Sequence, residues 1–276
     1  MTSTVLITGC SSGIGAAAVR RFAEQGWNVA ATLRNPAKVR FEPAAGCVES
    51  FALDVTDPRS VDQAVAAALK RFGHIDVLIN NAGYGLFGPF ETATAEVVER
   101  QFATNVGGVF AVTRAVLPHL RECRSGVIIN VASLSGLVAM PLYSIYVASK
   151  FAVVGFSESL SHELAPFGIR VKVFAPGAVA TNFSGSSLAR TFEGSGGPYS
   201  ASILKATAAF QANRAAGVSA STPEQLAQAL YEAAVDGSAQ VVYVTGDDAH
   251  AILKMREQIG EEALLVGMRQ RFGLVG

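Results

Sequence analysis

Two side chains one helical turn apart carry the most chemistry in this sequence. Tyr146-Val147-Ala148-Ser149-Lys150 sets a phenol and an ammonium four residues apart, and on a helix that spacing puts both on one face. A free phenol titrates near ~10, too high for acid–base work at neutral pH. An ammonium ~4 Å away, at an effective dielectric of ~20, is worth about 4 kcal/mol. That is enough to draw the phenol toward neutrality before screening and burial are counted. A phenol so tuned can protonate an alkoxide or deprotonate an alcohol. The spacing alone arises often by chance, so its neighbours matter. Ser133 lies just past the apolar run Val127–Ala132, where a hydroxyl can hold a carbonyl oxygen as a neutral donor. Asn105 interrupts an apolar helical stretch. A buried amide there needs partners, and a water held by it would connect to Lys150. Asn80-Asn81-Ala82-Gly83 closes another apolar run.

A second group of residues points to a nucleotide. Thr8-Gly9-Cys10-Ser11-Ser12-Gly13-Ile14-Gly15 follows the first apolar run directly. Glycines at such a turn let the backbone approach a pyrophosphate, whose charge rests on the helix N-terminus behind it. The spacing GxxxGxG is narrower than a bare GxGxxG. After the second run, NAD sites normally place an acid for the ribose hydroxyls. Here Leu33 stands at that place and Arg34 follows. An arginine forks onto a 2′-phosphate, and Ser12 has a hydroxyl to add, so NADP(H) is expected over NAD(H).

The elements that must position these groups alternate. Strands are predicted at Val5–Thr8, Asn28–Leu33, Val48–Leu53, Val77–Asn80, Val127–Ala132, Arg170–Ala175 and Gln240–Val244, with helices near 13–25, 58–72, 94–121, 144–166 and 223–236. Asp57-Pro58 reads as an N-cap with proline at the first helical position, and Thr222-Pro223-Glu224-Gln225 as a capping box. Continuous apolar strands separated by helices imply a parallel sheet covered on both faces, a doubly wound Rossmann-type α/β domain. One domain spanning 1–276 is expected. It carries a Gly/Ser-rich substrate lid at about 183–220, helical around 200–216, and one more helix in the tail from Asp248. Phe183, Phe192, Tyr199 and Phe210 give that lid either a wall for an apolar substrate or a small core of its own; the two readings stand level.

Composition bounds the alternatives. The 276 residues carry 22 Lys+Arg against 22 Asp+Glu with no basic cluster, a poor match to nucleic-acid binding. Charged residues make up 16%, against roughly 25% in an average soluble domain, so some surface is expected to be hidden in a homodimer or homotetramer. Cys10, Cys47 and Cys123 are too few and scattered for a disulfide framework or a metal site, which suggests a reducing, cytoplasmic compartment. The four histidines are scattered and carry no assigned role. The uncharged stretch from Ser125 to Ser149 is broken by Asn130, Ser133, Gly136 and Pro141, so no membrane span is expected.

Taken together, TGCSSGIG at 8–15, LDVTD at 53–57, NNAG at 80–83, Asn105, Ser133, YVASK at 146–150 and PGAVAT at 176–181 resemble the short-chain dehydrogenase/reductase family. Segments 31–36, 83–91 and 146–169 are similar to its 17beta-hydroxysteroid and retinol dehydrogenase branch, a likeness that fades after Thr181. The resemblance implies a seven-stranded parallel sheet. It implies Tyr146 as general acid/base, Lys150 as the group that lowers its pKa and binds the nicotinamide ribose, Ser133 as the carbonyl-polarising hydroxyl and Asn105 as the holder of a relay water. For NADP(H) it implies Gly9, Ser11, Ser12, Gly13, Ile14 and Gly15 at the phosphates, Arg34 at the 2′-phosphate, Asp54 and Val55 at the adenine, and Asn81, with Ala82 and Gly83, near the adenosine ribose. Pro176, Gly177, Val179 and Thr181 would meet the nicotinamide carboxamide. The expected reaction moves a hydride between the cofactor and a secondary alcohol or ketone of lipophilic character. A reductase of acyl-chain β-ketones is the alternative, and a non-catalytic NADP-sensing or scaffold protein the alternative of another class.

Overall fold

The computed structural model describes residues 2–42, 44–180, 188–192, 197–215 and 220–274; Thr181 and Phe183 lie outside them. Nine strands occur among the described residues: β1 (Thr4–Thr8), β2 (Asn28–Leu33), β3 (Val48–Ala52), β4 (Val77–Asn80), β5 (Gly85–Phe87), β6 (Gly126–Val131), β7 (Ile169–Pro176), β8 (Leu188–Arg190) and β9 (Val242–Thr245). Seven form one sheet in the order β3-β2-β1-β4-β6-β7-β9, with every pairing parallel. This is the doubly wound arrangement expected. The order turns back between β1 and β4, and ligands of such sheets bind in the crevice beyond the strand carboxyl ends at that point.

Alternation along the strands assigns the two faces. Val5 and Ile7 of β1, Val77 and Ile79 of β4, and Val127 and Ile129 of β6 bury against α1 (Gly13–Glu24) and α7 (Pro223–Val235). Leu6, Leu78 and Ile128 point the other way, onto α2 (Pro58–Phe72), α4 (Gly108–Cys123) and α5 (Ser144–Leu164). Both expected helix starts form. Asp57 accepts from the backbone N–H of Arg59 at 3.0 Å, and Thr222 and Gln225 make a reciprocal capping box.

Four local expectations are corrected. The single helix near 94–121 is α3 (Ala95–Phe102), then a wide π turn at Ala103–Gly107, then α4. The unbroken apolar pattern concealed that turn. The tail is two helices, α8 (Asp247–Ile259) and α9 (Glu261–Arg271), parted at Gly260, whose φ of +82° suits glycine. Asn28–Leu33 and Val77–Asn80 form with the expected bounds, and the ends of the other five expected strands move by one or two residues. The Gly/Ser-rich insertion adds β8, which pairs in parallel with β5 to make a second small sheet, before the helical part forms as α6 (Ser200–Ala215).

The edge of the main sheet is locked by a buried charge. Lys172 of β7 is fully buried and donates to the Ala233 carbonyl at 2.7 Å, to Asp236 Oδ1 and to the Tyr243 hydroxyl at 2.8 Å. Burial works against an ionised Asp236, but hydrogen bonds from Lys172, Tyr243 and the Ser238 N–H outweigh it and hold its carboxyl well below the ordinary 3.8. Lys172 is buried while Asp236 is partly exposed, so Asp236→Ala leaves a buried ammonium with one acceptor fewer and should lower the urea midpoint. The depressed carboxyl contributes fully above its unfolded pKa, and that contribution is lost as pH falls further. Acidification below the ordinary 3.8 should therefore destabilise the wild type more steeply than Asp236→Ala; parallel curves would contradict this.

Candidate active site

The chain ends of β1, β4, β6 and β7 open on one edge of the sheet, and the expected site residues gather there. The turn after β1 bends through Gly9 and Gly13, with φ of +73° and +57°, a region that L side chains rarely enter. A Cβ on Gly9 would stand 2.8 Å from the Ala82 Cα, and one on Gly15 only 2.4 Å from the Gly9 carbonyl oxygen. These contacts explain why glycine stands at both positions. Thr8 Oγ1 accepts the N–H groups of Asn81 and Ala82, and Asn81 Nδ2 donates to the Thr8 and Gly9 carbonyls. The Asn81–Gly83 turn is thereby stitched to the glycine turn. Ser12 is the N-cap of α1 without bonding its backbone, and no acid stands in that first turn. The arrangement suits an anion at the helix N-terminus. Cys10 is a buried neighbour whose thiol burial pushes up to about 12, so it offers no nucleophile.

Arg34 is exposed at the end of β2, directly after buried Leu33. It lies close enough to Asp54 to help hold that carboxyl down, though hydrogen bonds from Thr56 do more. Val55 is buried against α4, where a Cβ on Gly108 would come within 2.7 Å of its Cγ2.

Beyond β6 stand the four residues expected to do chemistry. Ser133 caps a short 3-10 turn, accepting from the Ser135 N–H at 3.1 Å, and also hydrogen-bonds Tyr146. Lys150 Nζ donates to the Val131 carbonyl at 2.8 Å and lies 5.8 Å from the Tyr146 ring centre. Asn105 sits in the π turn. Its Nδ2 donates to the Tyr84 carbonyl and to Ser149 Oγ, and its Oδ1 accepts from the Tyr84 N–H at 3.1 Å. Ser149 in turn donates to the Tyr146 carbonyl at 2.7 Å. A Cβ on Gly83 would lie 3.1 Å from Asn105 Oδ1 and 3.7 Å from Lys150 Nζ, so this glycine leaves space between the two groups. Below them runs a buried polar chain that sequence reading missed. Asn80 donates to Thr113 and Asn130, Asn130 to Ser157, and Ser157 to the Val153 carbonyl. Asn80 and Asn130 occupy paired positions on adjacent strands, a register that no local pattern announces.

The electrostatics differ from the charge arithmetic of the sequence. Burial pushes the Tyr146 phenol up to about 12; the Ser133 hydrogen bond pulls it down and Tyr143 pushes it up further. Burial draws Lys150 down to about 8. The ammonium is turned to the Val131 carbonyl, and the cost of taking the phenolate out of water is the larger effect.

Tyr143 was also missed. Its ring meets Tyr146 at 6.0 Å, Phe87 at 5.1 Å and Phe210 at 5.7 Å. Phe210 of α6 packs on Phe272 at 4.7 Å, and Phe192 packs on Phe87. Tyr199 donates to Glu91 at 2.6 Å. Of the described aromatics in this segment, Phe210 packs on Tyr143, in the loop before Tyr146, and on C-terminal Phe272, whereas Phe192 and Tyr199 reach Phe87 of β5 and Glu91 just after it. That loop is bent by Leu142, at a φ of +61°, whose carbonyl accepts from Gly88.

A family model described as short chain dehydrogenase matches residues 3–191. The chain belongs to the short-chain dehydrogenase/reductase family. Among its relatives, the 3-ketodihydrosphingosine reductase of Bacteroides thetaiotaomicron is 41% identical over 201 residues, 73% of each chain. A short-chain dehydrogenase structure from Streptomyces avermitilis is 31% identical with a TM-score of 0.81, covering 96% of this chain and 95% of that one. The 3-ketoacyl-(acyl-carrier-protein) reductase of Brucella melitensis, complexed with NADH, is 29% identical with a TM-score of 0.74, covering 88% and 96%. As a member of this dehydrogenase/reductase family, the chain is an oxidoreductase, and nicotinamide dinucleotides are the family's cofactors. The bare glycine turn and the open helix N-terminus fit such a group.

Lys150 gives a test independent of activity. Its folded pKa lies below the ordinary 10.5, so between about 8 and 10 the unfolded chain binds the extra proton and stability rises with pH. The gain is on the order of 3 kcal/mol. Urea unfolding of Lys150→Met should lack this rise. A rise of equal size in the variant would show that Lys150 is not the group responsible.

Proposed function

We propose that this protein is an NADP(H)-dependent reductase or dehydrogenase acting on a ketone or secondary alcohol of lipophilic character. The observation that carries this reading is the hydrogen bond between Ser133 and Tyr146 with Lys150 beneath it, at the sheet edge that the glycine turn leaves open. When bound, the nicotinamide supplies or accepts the hydride. Ser133 and Tyr146 hold the substrate oxygen, one as a neutral donor and the other as the proton's source or acceptor. Lys150 holds the nicotinamide ribose and contributes positive charge beside the phenol. Asn105 braces the π turn through Tyr84 and Ser149, and its remaining Oδ1 lone pair supports a water in the space Gly83 leaves toward Lys150. That water would carry the proton onward.

On the cofactor side, Gly9, Ser11, Ser12, Gly13, Ile14 and Gly15 cradle the phosphates. Asp54, Val55, Asn81, Ala82 and Gly83 would line the adenosine, and Pro176, Gly177 and Val179 would meet the carboxamide, a role also expected of Thr181, which lies outside the described residues. Leu33 and exposed Arg34 favour NADP(H), although the Brucella structure is complexed with NADH. The substrate class rests on the aromatic wall of Phe87, Tyr143 and Phe210 beside Tyr146. It also rests on the name of the Bacteroides relative, a reductase of a 3-keto sphingoid base. A β-ketoacyl reductase is the second reading, favoured by the name of the Brucella structure. We further propose one domain over the whole chain, a cytoplasmic setting in keeping with three free cysteines, and a homodimer or homotetramer that covers exposed Phe110 and Phe151. No helix among the described residues is long and apolar enough to cross a membrane.

NADPH oxidation against a panel of long-chain and aromatic ketones tests the reaction. Tyr146→Phe should lower kcat by about 100-fold or more while NADPH still binds; equal rates would remove Tyr146 from the chemistry. Arg34→Asp should weaken NADPH and move the preference toward NADH, and an unchanged ratio would refute the assignment to NADP(H).

A further inference from the structure

The loop leaving β7 is held from outside the segment that the family model covers. Its backbone is bonded at four places. The Gly177 N–H donates to the Thr245 carbonyl at 2.9 Å and the Ala180 N–H to the Ser221 carbonyl at 2.9 Å, while the Ser221 N–H returns to Ala178 at 3.0 Å. The fourth bond comes from a side chain: the Ala178 N–H donates to Asp248 Oδ2 at 2.7 Å. Val179 stands between these anchors.

Asp248 occupies its place at a cost. Its Oδ1 is buried and has no hydrogen-bond partner, an unfavourable state for a carboxylate oxygen. A Cβ on Gly177 would lie 2.2 Å from that oxygen, and one on Gly246, at a φ of +99°, 2.7 Å from it. Glycine is therefore required on both sides of the carboxylate. Asp247 and Asp248 both place charge in the first turn of α8, but the bond to the Ala178 N–H is made by Asp248.

We propose that Asp248 is a positioning residue that sets the Pro176–Ala180 loop in the conformation receiving the nicotinamide carboxamide. This rests on the cofactor reading above. The carboxylate fixes the Ala178 peptide, and through it the backbone of Val179, without touching the cofactor itself.

The test separates the two halves of the dinucleotide by equilibrium binding. NADPH contains the nicotinamide; 2′,5′-ADP has only the phosphorylated adenosine half. Asp248→Ala should weaken NADPH roughly tenfold, the loss expected for one backbone anchor, and leave 2′,5′-ADP unchanged. Gly177→Ala should behave in the same way by displacing the carboxylate. Asp248→Asn keeps an acceptor for the Ala178 N–H and should retain most NADPH affinity, whereas a role through charge alone would be lost in that variant. Unaltered NADPH binding in Asp248→Ala would overturn the proposal, as would equal weakening of both probes together with a lowered Tm. If the wild type bound neither probe, the cofactor reading would fail first and this inference with it.

Discussion

A buried ammonium must have a fixed acceptor, and the candidate site is arranged around that need. Lys150 lies inside the protein, and its charge rests on the Val131 carbonyl at the end of β6. This single bond sets α5 against the sheet at the height where Tyr146 meets Ser133. Close approach makes it possible. A Cβ on Gly136, in the turn after Ser133, would come within 2.9 Å of the Lys150 carbonyl. The π turn that carries Asn105 reaches the same helix through Ser149. Burial then has opposite consequences for the two partners, since it raises the phenol and lowers the ammonium. A neutral phenol beside a lysine drawn down to about 8 is a site waiting for further positive charge, which an oxidised nicotinamide carries.

The rest of the fold serves this edge at different ranges. The polar chain from Asn80 through Asn130 to Ser157 ties β4 and β6 to α4 and α5 inside the apolar layer. Asn80 Oδ1 is left buried without a hydrogen-bond partner, so the chain holds strand and helix in one relative position at some cost. Farther out, α8 and α9 share a small core with Leu134 and Val138, and Arg256 donates to the Leu137 carbonyl at 2.6 Å. The C-terminal helices therefore pack on the loop between Ser133 and Tyr146, although they lie beyond the matched family segment.

Much of this was legible in the sequence because the signals were local. The seven main strands are apolar runs, the glycine turn has its own spacing, and Tyr146, Lys150, Ser133 and Asn105 stand out by residue type. What was not legible depends on contacts between distant segments. β5 and β8 are three residues each and pair across about a hundred residues of chain, too short for any periodicity. The π turn hides in a continuous apolar pattern, since a single widened turn leaves the hydrophobic face unbroken. No local pattern marks Lys172, whose partners come from the end of α7 and from β9 once β7 is paired beside β9. For Tyr146 spacing gives the distance to a charge but not the depth of burial, which the charge arithmetic left out.

The central claim is that Tyr146 is held neutral by burial and made acidic only by added positive charge. Ultraviolet difference titration of its phenol, with Tyr146→Phe subtracted to isolate the signal, tests this directly. In the free protein the midpoint should lie up near about 12, and with NADP+ bound it should fall clearly below that. A midpoint that stays where it was on binding NADP+, or that already sits near neutrality without it, would contradict the account.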